Sequence, residues 1–436
     1  MSGPPPRLST PARTAFALAL AAYLASDAWL SWRTSVLEPY SDMFAWMDRW
    51  FRWQADHDLW AFLWAPHNFH HLVITLAVLA LDIRAFGGQG YLFLAVGVAS
   101  LAATGAMLAA WGAAGAGRGL RLLGGGVAGA IGLMGCHVLD ATDNITGTYV
   151  HALAFAVAAI LLAEGPRVTV LRRGGALACA VLSGLGSAAG LAVWPALLFG
   201  AWRRRDWRWA AMVLAAGGLF SLVYIVGDRA PVGPGGGSPG AGLGDAVLLI
   251  LNYLGLPWMR AAPGLGWLMG LAVLIVSLAA LVAGGRRGAD WPQRAAGPAI
   301  VFSLMTALMA GAGRSGLIAP ELTPMRYAVF MVPLQAGLWV LALPWLSRLA
   351  VRRPRTADGL AVAAAALLIL HQGAMALFAV RTGDGNLAFI ADYRAGRDTP
   401  QVRQLIAPDL AQARALSARM RALGLFQREL RADPKP

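Results

Sequence analysis

The chain has 436 residues, of which 58% are hydrophobic and only 13% charged, with a formal net charge of +14. A soluble domain carries about 25% charged residues, so the composition excludes an ordinary soluble protein and points to lipid as the covering solvent. Nucleic-acid binding is excluded as the meaning of the charge, because it is nearly all arginine in short clusters between apolar runs, the pattern that membrane orientation leaves.

The apolar runs predict an all-α polytopic membrane protein of about 10–12 hydrophobic helices. In chain order they lie at roughly 13–32, 69–86, 90–111, 121–138, 149–164, 174–200, 208–227, 244–256, 264–284, 297–312, 326–347 and 357–380. The first is followed by a Trp-rich polar stretch with no small-residue cleavage site, so it reads as a retained helix. Residues 1–380 form one transmembrane unit, with 33–68 as a first periplasmic loop that carries interfacial helices. Residues 381–436 form a short helical tail, expected on the same side. Cys136 and Cys179 fall inside apolar runs and read as small core residues.

The arginine clusters set the orientation. Arg7 with Arg13, Arg118 with Arg121, Arg167 with Arg172 and Arg173, Arg203 to Arg205 with Arg208, Arg286 with Arg287 and Arg294, and Arg348 with Arg352, Arg353 and Arg355 all go to the cytoplasm. The N-terminus is then cytoplasmic. The outer loops are 33–68, 139–148, 228–263 and 313–325, followed by the tail from Arg381. The abundance of Ala, Gly and Arg, with Lys435 as the lone lysine, suggests a GC-rich bacterial genome, so the expected location is a bacterial inner membrane. Two segments cannot simply cross. Segment 69–86 carries Asp82 and Arg84 and is expected to be re-entrant or on the outer surface. Segment 174–200 has arginines at both ends, so it enters and returns, or is two short helices meeting near Gly184, Gly186, Gly190 or Pro195.

The polar chemistry gathers in the outer loops. The first loop runs Glu38-Pro-Tyr40-Ser-Asp42-Met-Phe-Ala-Trp46-Met-Asp48-Arg49-Trp50. Trp46, Trp50 and Trp53 share a helical face, read as an interfacial helix with indoles at headgroup depth. Asp42 and Asp48 are the candidate acids. Next comes Pro66-His67-Asn68-Phe69-His70-His71. His67 and His71 are four apart, on one face of a helix expected to begin near Pro66. Such a pair can hold a metal, contact a phosphate or trade a proton. The late loop Gly313-Arg314-Ser-Gly…Met325-Arg326-Tyr327 carries two arginines against the orientation rule. Their planar forks suit a lipid phosphate, while pairing with Glu321 or headgroups is the plain alternative. Asp140, Asp143 and Asn144 end a helix, where they line the same cavity or cap the next helix. Glu38, Tyr40, Asn68, His70 and Tyr327 complete the expected cavity lining. Arg229, Asn252, Tyr253 and Arg260 are weaker candidates. There is no Walker motif, dinucleotide fingerprint or nucleophile elbow.

This layout resembles the GT-C superfamily of lipid-linked-sugar glycosyltransferases, and within it uncharacterised bacterial relatives of the protein O-mannosyltransferases and aminoarabinose transferases. The resemblance spans the first helix to about residue 380 and rests on architecture, with "PHNFHH" and "GRSG…MRY" as its local motifs. Met43 follows Asp42 where the superfamily has a second acid. The resemblance implies a GT-C-like fold and glycosyl transfer from a polyprenyl-phosphate-linked sugar to a glycan, lipid or protein acceptor. It implies Asp42 as base, with Asp48 as second choice. Arg314, Arg326 and His67 would meet the departing phosphate, with His71 near it, and the lipid tail would lie between helices. No soluble cofactor is implied, and the histidines leave a divalent metal open. A lipid or polysaccharide transporter, a polysaccharide polymerase and a catalytically silent scaffold are the competing readings.

Overall fold

Lipid offers no hydrogen-bond partner, so a chain this apolar must satisfy its backbone internally. A computed structural model describes residues 7–35, 39–67, 70–142, 147–226, 242–256, 264–283, 289–405 and 409–426. Among the described residues the chain is helical, with no strand beyond two isolated bridges. Helix α1 (Thr10–Arg33) leads to α2 (Asp42–Asp56) and α3 (Leu59–Trp64), then α4 (Val73–Phe86) and α5 (Tyr91–Gly115). Next come α6 (Arg121–Gly132), α7 (Gly135–Thr142) and α8 (Gly147–Glu164). A hairpin follows, made of α9 (Val170–Gly186), a 3-10 turn over Ala188–Ala192 and α10 (Val193–Arg203). Then come α11 (Trp207–Val226), α12 (Leu243–Leu254), α13 (Gly266–Ala283) and α14 (Trp291–Arg314). A 3-10 stretch, Met325–Met331, runs into α15 (Val332–Arg352). The end is α16 (Pro354–Arg394), α17 (Pro400–Leu405) and α18 (Leu410–Ala422).

Each of the twelve apolar runs is helical, yet among the described residues only 8 helices are long and apolar enough to cross a bilayer. Counting the bent pair α6 and α7 as one span gives up to 9. The chain is a multi-pass membrane protein. The apolar segment read at 121–138 is two helices meeting at 46°. The second half runs on to Thr142, so Asp140 is helical and buried and does not sit in a loop.

Contacts sort the helix ends into two sides. On one, Ser9 N–H donates to Asp358, Arg204 pairs with buried Glu164 at 2.8 Å, and Arg173 pairs with Asp206. Arg7 also forms an isolated bridge with Gly119, Trp111 near the end of α5 donates to the Pro292 carbonyl, and Arg294 lies within electrostatic reach of Glu164, so the arginine clusters of 7–13, 118–121, 167–173, 203–208 and 352–355 share a side. On the other, Arg33 pairs with Asp384 at 2.6 Å, Thr34 meets Thr142 at 3.0 Å, and His70 meets Arg314. This second side holds the polar loops.

Helix α4 is about 21 Å long, short of the ~30 Å hydrocarbon core. Both its ends lie on the loop side. His71 N–H donates to the Tyr224 hydroxyl at the far end of α11, and the Arg84 guanidinium lies 4.2 Å over the Trp53 ring of α2. Asp82 is fully buried because it caps α5, accepting from Gly90 N–H at 2.9 Å and Leu92 N–H at 2.8 Å. The α9–α10 hairpin enters and returns, turning at Gly186–Ser187. The α5 helix lies against α7 through Gly97, where a Cβ would stand 2.1 Å from the Ala141 carbonyl.

Two apolar cores result. The larger lies among the membrane helices. The smaller caps the loop side, joining α2, α4, the end of α16, α17 and α18. Trp46 and Trp50 are 1% and 5% exposed within it. The expectation that these indoles lie at headgroup depth is thereby corrected: Phe62, His67 and Arg84 pack against them, while the last turns of α16 and α18 cover the opposite face of α2, where Phe44 is edge-on to Tyr393 and Arg419 lies 4.0 Å over Phe51. Helix α16 runs unbroken past residue 380 to Arg394, so the tail begins as a continuation of a membrane helix.

Two outcomes follow. Asp82→Ala removes two cap hydrogen bonds and should cost about 1–2 kcal/mol, read by thermal unfolding in detergent. Cysteines at Ser315 and Arg353 should react with an impermeant thiol reagent from opposite faces of oriented membranes, and labelling of both from one face would overturn the sidedness.

Candidate functional site

The polar loops enclose a cavity of ≈ 490 Å³ on the loop side. Five parts of the chain meet there, one of them α8 through Thr148 and Tyr149. The first loop brings Tyr40, Ser41, Asp42, His67 and His70, and α7 brings Cys136 and Asp140. The late loop brings Arg314 and Arg326, and α16 brings Thr382 and Asn386.

Asp42 is the first residue of α2. Ser41 before it has φ 49°, a left-handed conformation unusual for a residue with a side chain. The Asp42 carboxylate meets His67 Nε2 at 3.2 Å. Burial raises the cost of its charge. The hydrogen bond and charge of His67, with Arg326 and His70 behind it, outweigh that cost and hold the carboxyl below its ordinary value.

The expected helix through His67 and His71 does not form, and that premise is corrected. His67 and His70 exchange two backbone hydrogen bonds of 2.8 Å, a tight turn that excludes helical pairing before α4 begins at Val73. The turn directs His67 and His70 into the cavity. His71 points away, its ring stacked on Trp64 and its nitrogens 2.5 Å from the Trp64 carbonyl and 3.0 Å from the Tyr224 carbonyl. It ties the first loop to α11 and does not line the cavity.

His70 carries the central electrostatic feature. The tip of the α9–α10 hairpin donates Ala188 N–H to its Nδ1 at 3.1 Å. The neutral ring then holds its hydrogen on Nε2. Arg314 Nη2 lies 3.3 Å from that nitrogen. Both are donors, so they cannot satisfy each other. They converge on a position where an oxyanion could accept from both. Burial, aided by the charges of Arg314 and His67, pushes the His70 imidazole down to about 3. Arg326 borders the same space within electrostatic reach of Asp42 and Asp140.

A second chamber of ≈ 290 Å³ adjoins the first across His70, Tyr149 and Arg314. It is lined mostly by apolar and aromatic groups, with Tyr253 stacked on Tyr327 at 5.6 Å. Tyr327 therefore belongs to this chamber. Asn252 donates to the Pro320 carbonyl at 3.0 Å. Asp48 pairs with Arg52 at 2.8 Å and does not line the cavity. Glu38, Asn68, Asp143, Asn144, Arg229 and Arg260 lie outside the described residues, as does the side chain of Glu321. Among the described residues no three His, Cys, Asp or Glu side chains converge as metal ligands.

Sequence reading missed Arg49. Its guanidinium donates to the Ala65 carbonyl at 2.6 Å and also to the Pro66 carbonyl, clamping the segment that leads into His67. The signal was present, since Asp42 and Arg49 are seven apart on one helix face. Tyr149 and Ala188 had no such signal, because each sits in an unremarkable apolar run. Compared with known proteins, the chain matches no family model, no curated protein and no solved structure.

The His70 ring should stay neutral, with hydrogen on Nε2, between about pH 5 and 8. Nitrogen chemical shifts of labelled histidine in detergent would read this, using His70→Asn to assign the signal. A midpoint inside that window would overturn the buried donor pair.

Proposed function

We propose that the protein is a GT-C-like glycosyltransferase that moves a sugar from a polyprenyl-phosphate carrier to an acceptor hydroxyl. It would act on the side opposite the arginine clusters, the periplasmic face of a bacterial inner membrane, with a cytoplasmic N-terminus. One observation carries the reading: a depressed carboxylate, Asp42, and a pair of convergent donors, Arg314 and His70, line the same cavity.

The chemistry needs those two parts. The acceptor hydroxyl gives its proton to the Asp42 carboxylate as its oxygen bonds to the anomeric carbon. The bond from that carbon to the phosphate oxygen breaks, and its electron pair leaves with the lipid phosphate. Arg314 and His70 Nε2–H donate to that oxyanion, and Arg326 adds charge beside it. His67, bonded to Asp42, holds the carboxylate and offers a way out for the proton. The apolar second chamber behind Arg314 is suited to the first units of the lipid chain.

Transport of a lipid-linked anion is the second reading. The 46° break between α6 and α7 favours it, as does Asp27, buried within α1 and bonded to Gln372 of α16 at 2.6 Å.

The test separates binding from chemistry. Farnesyl phosphate should raise the melting temperature of the purified protein and farnesol should not, with Arg314→Gln weakening the effect about tenfold. Asp42→Asn should keep this binding and slow transfer from a polyprenyl-phosphate sugar by about 10²–10⁴-fold. Because the Asp42 pKa is lowered, the ionised base persists as pH falls, and the acid limb of the rate should lie below the usual 3.8. Full transfer by Asp42→Asn would sink the catalytic assignment, and phosphate-dependent binding without any transfer would favour transport.

A further inference from the structure

Asp27 is a buried acid that the reaction above does not use. It lies in α1 and is 8% exposed, and both α1 and α16 are long and apolar enough to cross a bilayer. Gln372 of α16, itself buried, donates from Nε2 to Asp27 Oδ1 at 2.6 Å and to Ser26 Oγ at 3.2 Å. The other two oxygens of the pair, Asp27 Oδ2 and Gln372 Oε1, are buried and meet no hydrogen-bond partner among the described residues.

Contacts on either side fix the place of Asp27. One turn before it, the Tyr23 hydroxyl donates to the Ala130 carbonyl in the last turn of α6 at 2.9 Å. One turn after it, Leu30 lies against the start of α7, where a Cβ on Gly135 would stand 3.2 Å from both Leu30 and Met375. Asp27 is therefore level with the break between α6 and α7, where α1, α7 and α16 meet. Tyr23, Cys136, His137, Asp140 and His371 are the titratable groups on the surrounding elements, and none is a permanent cation. The arginines of these helices stand off. Arg33 is about 9 Å further along α1 and paired with Asp384. Arg381 is about 14 Å beyond Gln372 on α16, and Arg121 about 14 Å before Ala130 on α6. Helix α7 has none.

An ionised carboxylate only accepts hydrogen bonds, and here it would keep a full charge in apolar surroundings with one donor to meet it. A hard metal cation takes about six oxygens, and two are left over. A proton needs one. A carboxylic acid and a primary amide are complementary, each donating one hydrogen bond to the other and accepting one. The first bond of such a pair is present at 2.6 Å, and the two unpartnered oxygens are the donor and acceptor of the second.

We propose that Asp27 and Gln372 form a proton-binding site inside the helix bundle, with the proton carried on Asp27 Oδ2 and donated to Gln372 Oε1. The site clasps α1 to α16 beside the break whose second half, α7, carries Asp140 into the reaction cavity. Proton binding here is independent of glycosyl transfer, so either can fail without the other.

Infrared spectra of the full chain in detergent at neutral pH read the acid directly, with aspartate isotope-labelled at its side-chain carboxyl. A carbonyl band of a protonated carboxylic acid should move with the label and be lost in Asp27→Asn. It should rise in frequency in Gln372→Leu, which keeps the acid and removes the bond from the amide, and which keeps the test decisive should Asp27→Asn not fold. Absence of any label-sensitive acid band at neutral pH would overturn the site. So would a band that both variants leave unchanged. Loss of the band when potassium chloride is replaced by sodium chloride would assign the pair to a metal cation and overturn the proton site equally.

Discussion

The contact on which the site depends is the single hydrogen bond from Ala188 N–H to His70 Nδ1. It joins the tip of a membrane hairpin to the first long loop. It also selects the histidine tautomer, so that Nε2 faces Arg314 as a donor. An acceptor at that nitrogen would pair with Arg314 and close the space. Two donors instead leave an unmet demand for negative charge, in surroundings dry enough to keep the imidazole neutral.

The hairpin can deliver that amide because α9 stops at Gly186 and the 3-10 turn follows. The loop can receive it because Arg49 grips the carbonyls of Ala65 and Pro66 from α2. The same helix presents Asp42 from its first turn. One rigid element therefore sets both the acid and the histidine turn, and its stiffness comes from burial of Trp46, Trp50 and Phe51 in the cap. The cap in turn exists because α16 continues out of the membrane for several turns and gives α18 a surface to pack on. Disturbing that tail should reach the cavity through α2.

The arginine side works differently. Glu164, 1% exposed, meets Arg204, and Arg173 meets Asp206, so α8, α9 and α10 are bound at their ends by charge. These pairs hold the base of the hairpin whose tip makes the site. The two sides are thus mechanically joined across the membrane by α9 and α10.

Much was legible in the sequence because its cause is local. Apolar runs of bilayer length, arginine clusters on one side, doubtful crossings at 69–86 and 174–200, and acids, histidines and arginines in the opposite loops all follow from composition along the chain. Asp82 looked out of place in lipid for a sound reason, and its role as a cap for α5 needed only the next ten residues. The tertiary structure alone decided which of these polar groups meet. His71 was expected near the phosphate, ahead of His70, and Asp48 stood as the second-choice acid, until a reciprocal turn at 67–70 and the Asp48–Arg52 pair sent them elsewhere. Helix α2 was equally suited to headgroups or to a core: Phe62, His67 and Arg84 cover its indole face, and only the return of α16 and α18, more than 300 residues later, covers the opposite face at Phe44 and Phe51. Hydrophobic periodicity tells which face of a helix avoids water. It carries no information about which distant segment comes to cover that face, and the site is made where those segments meet.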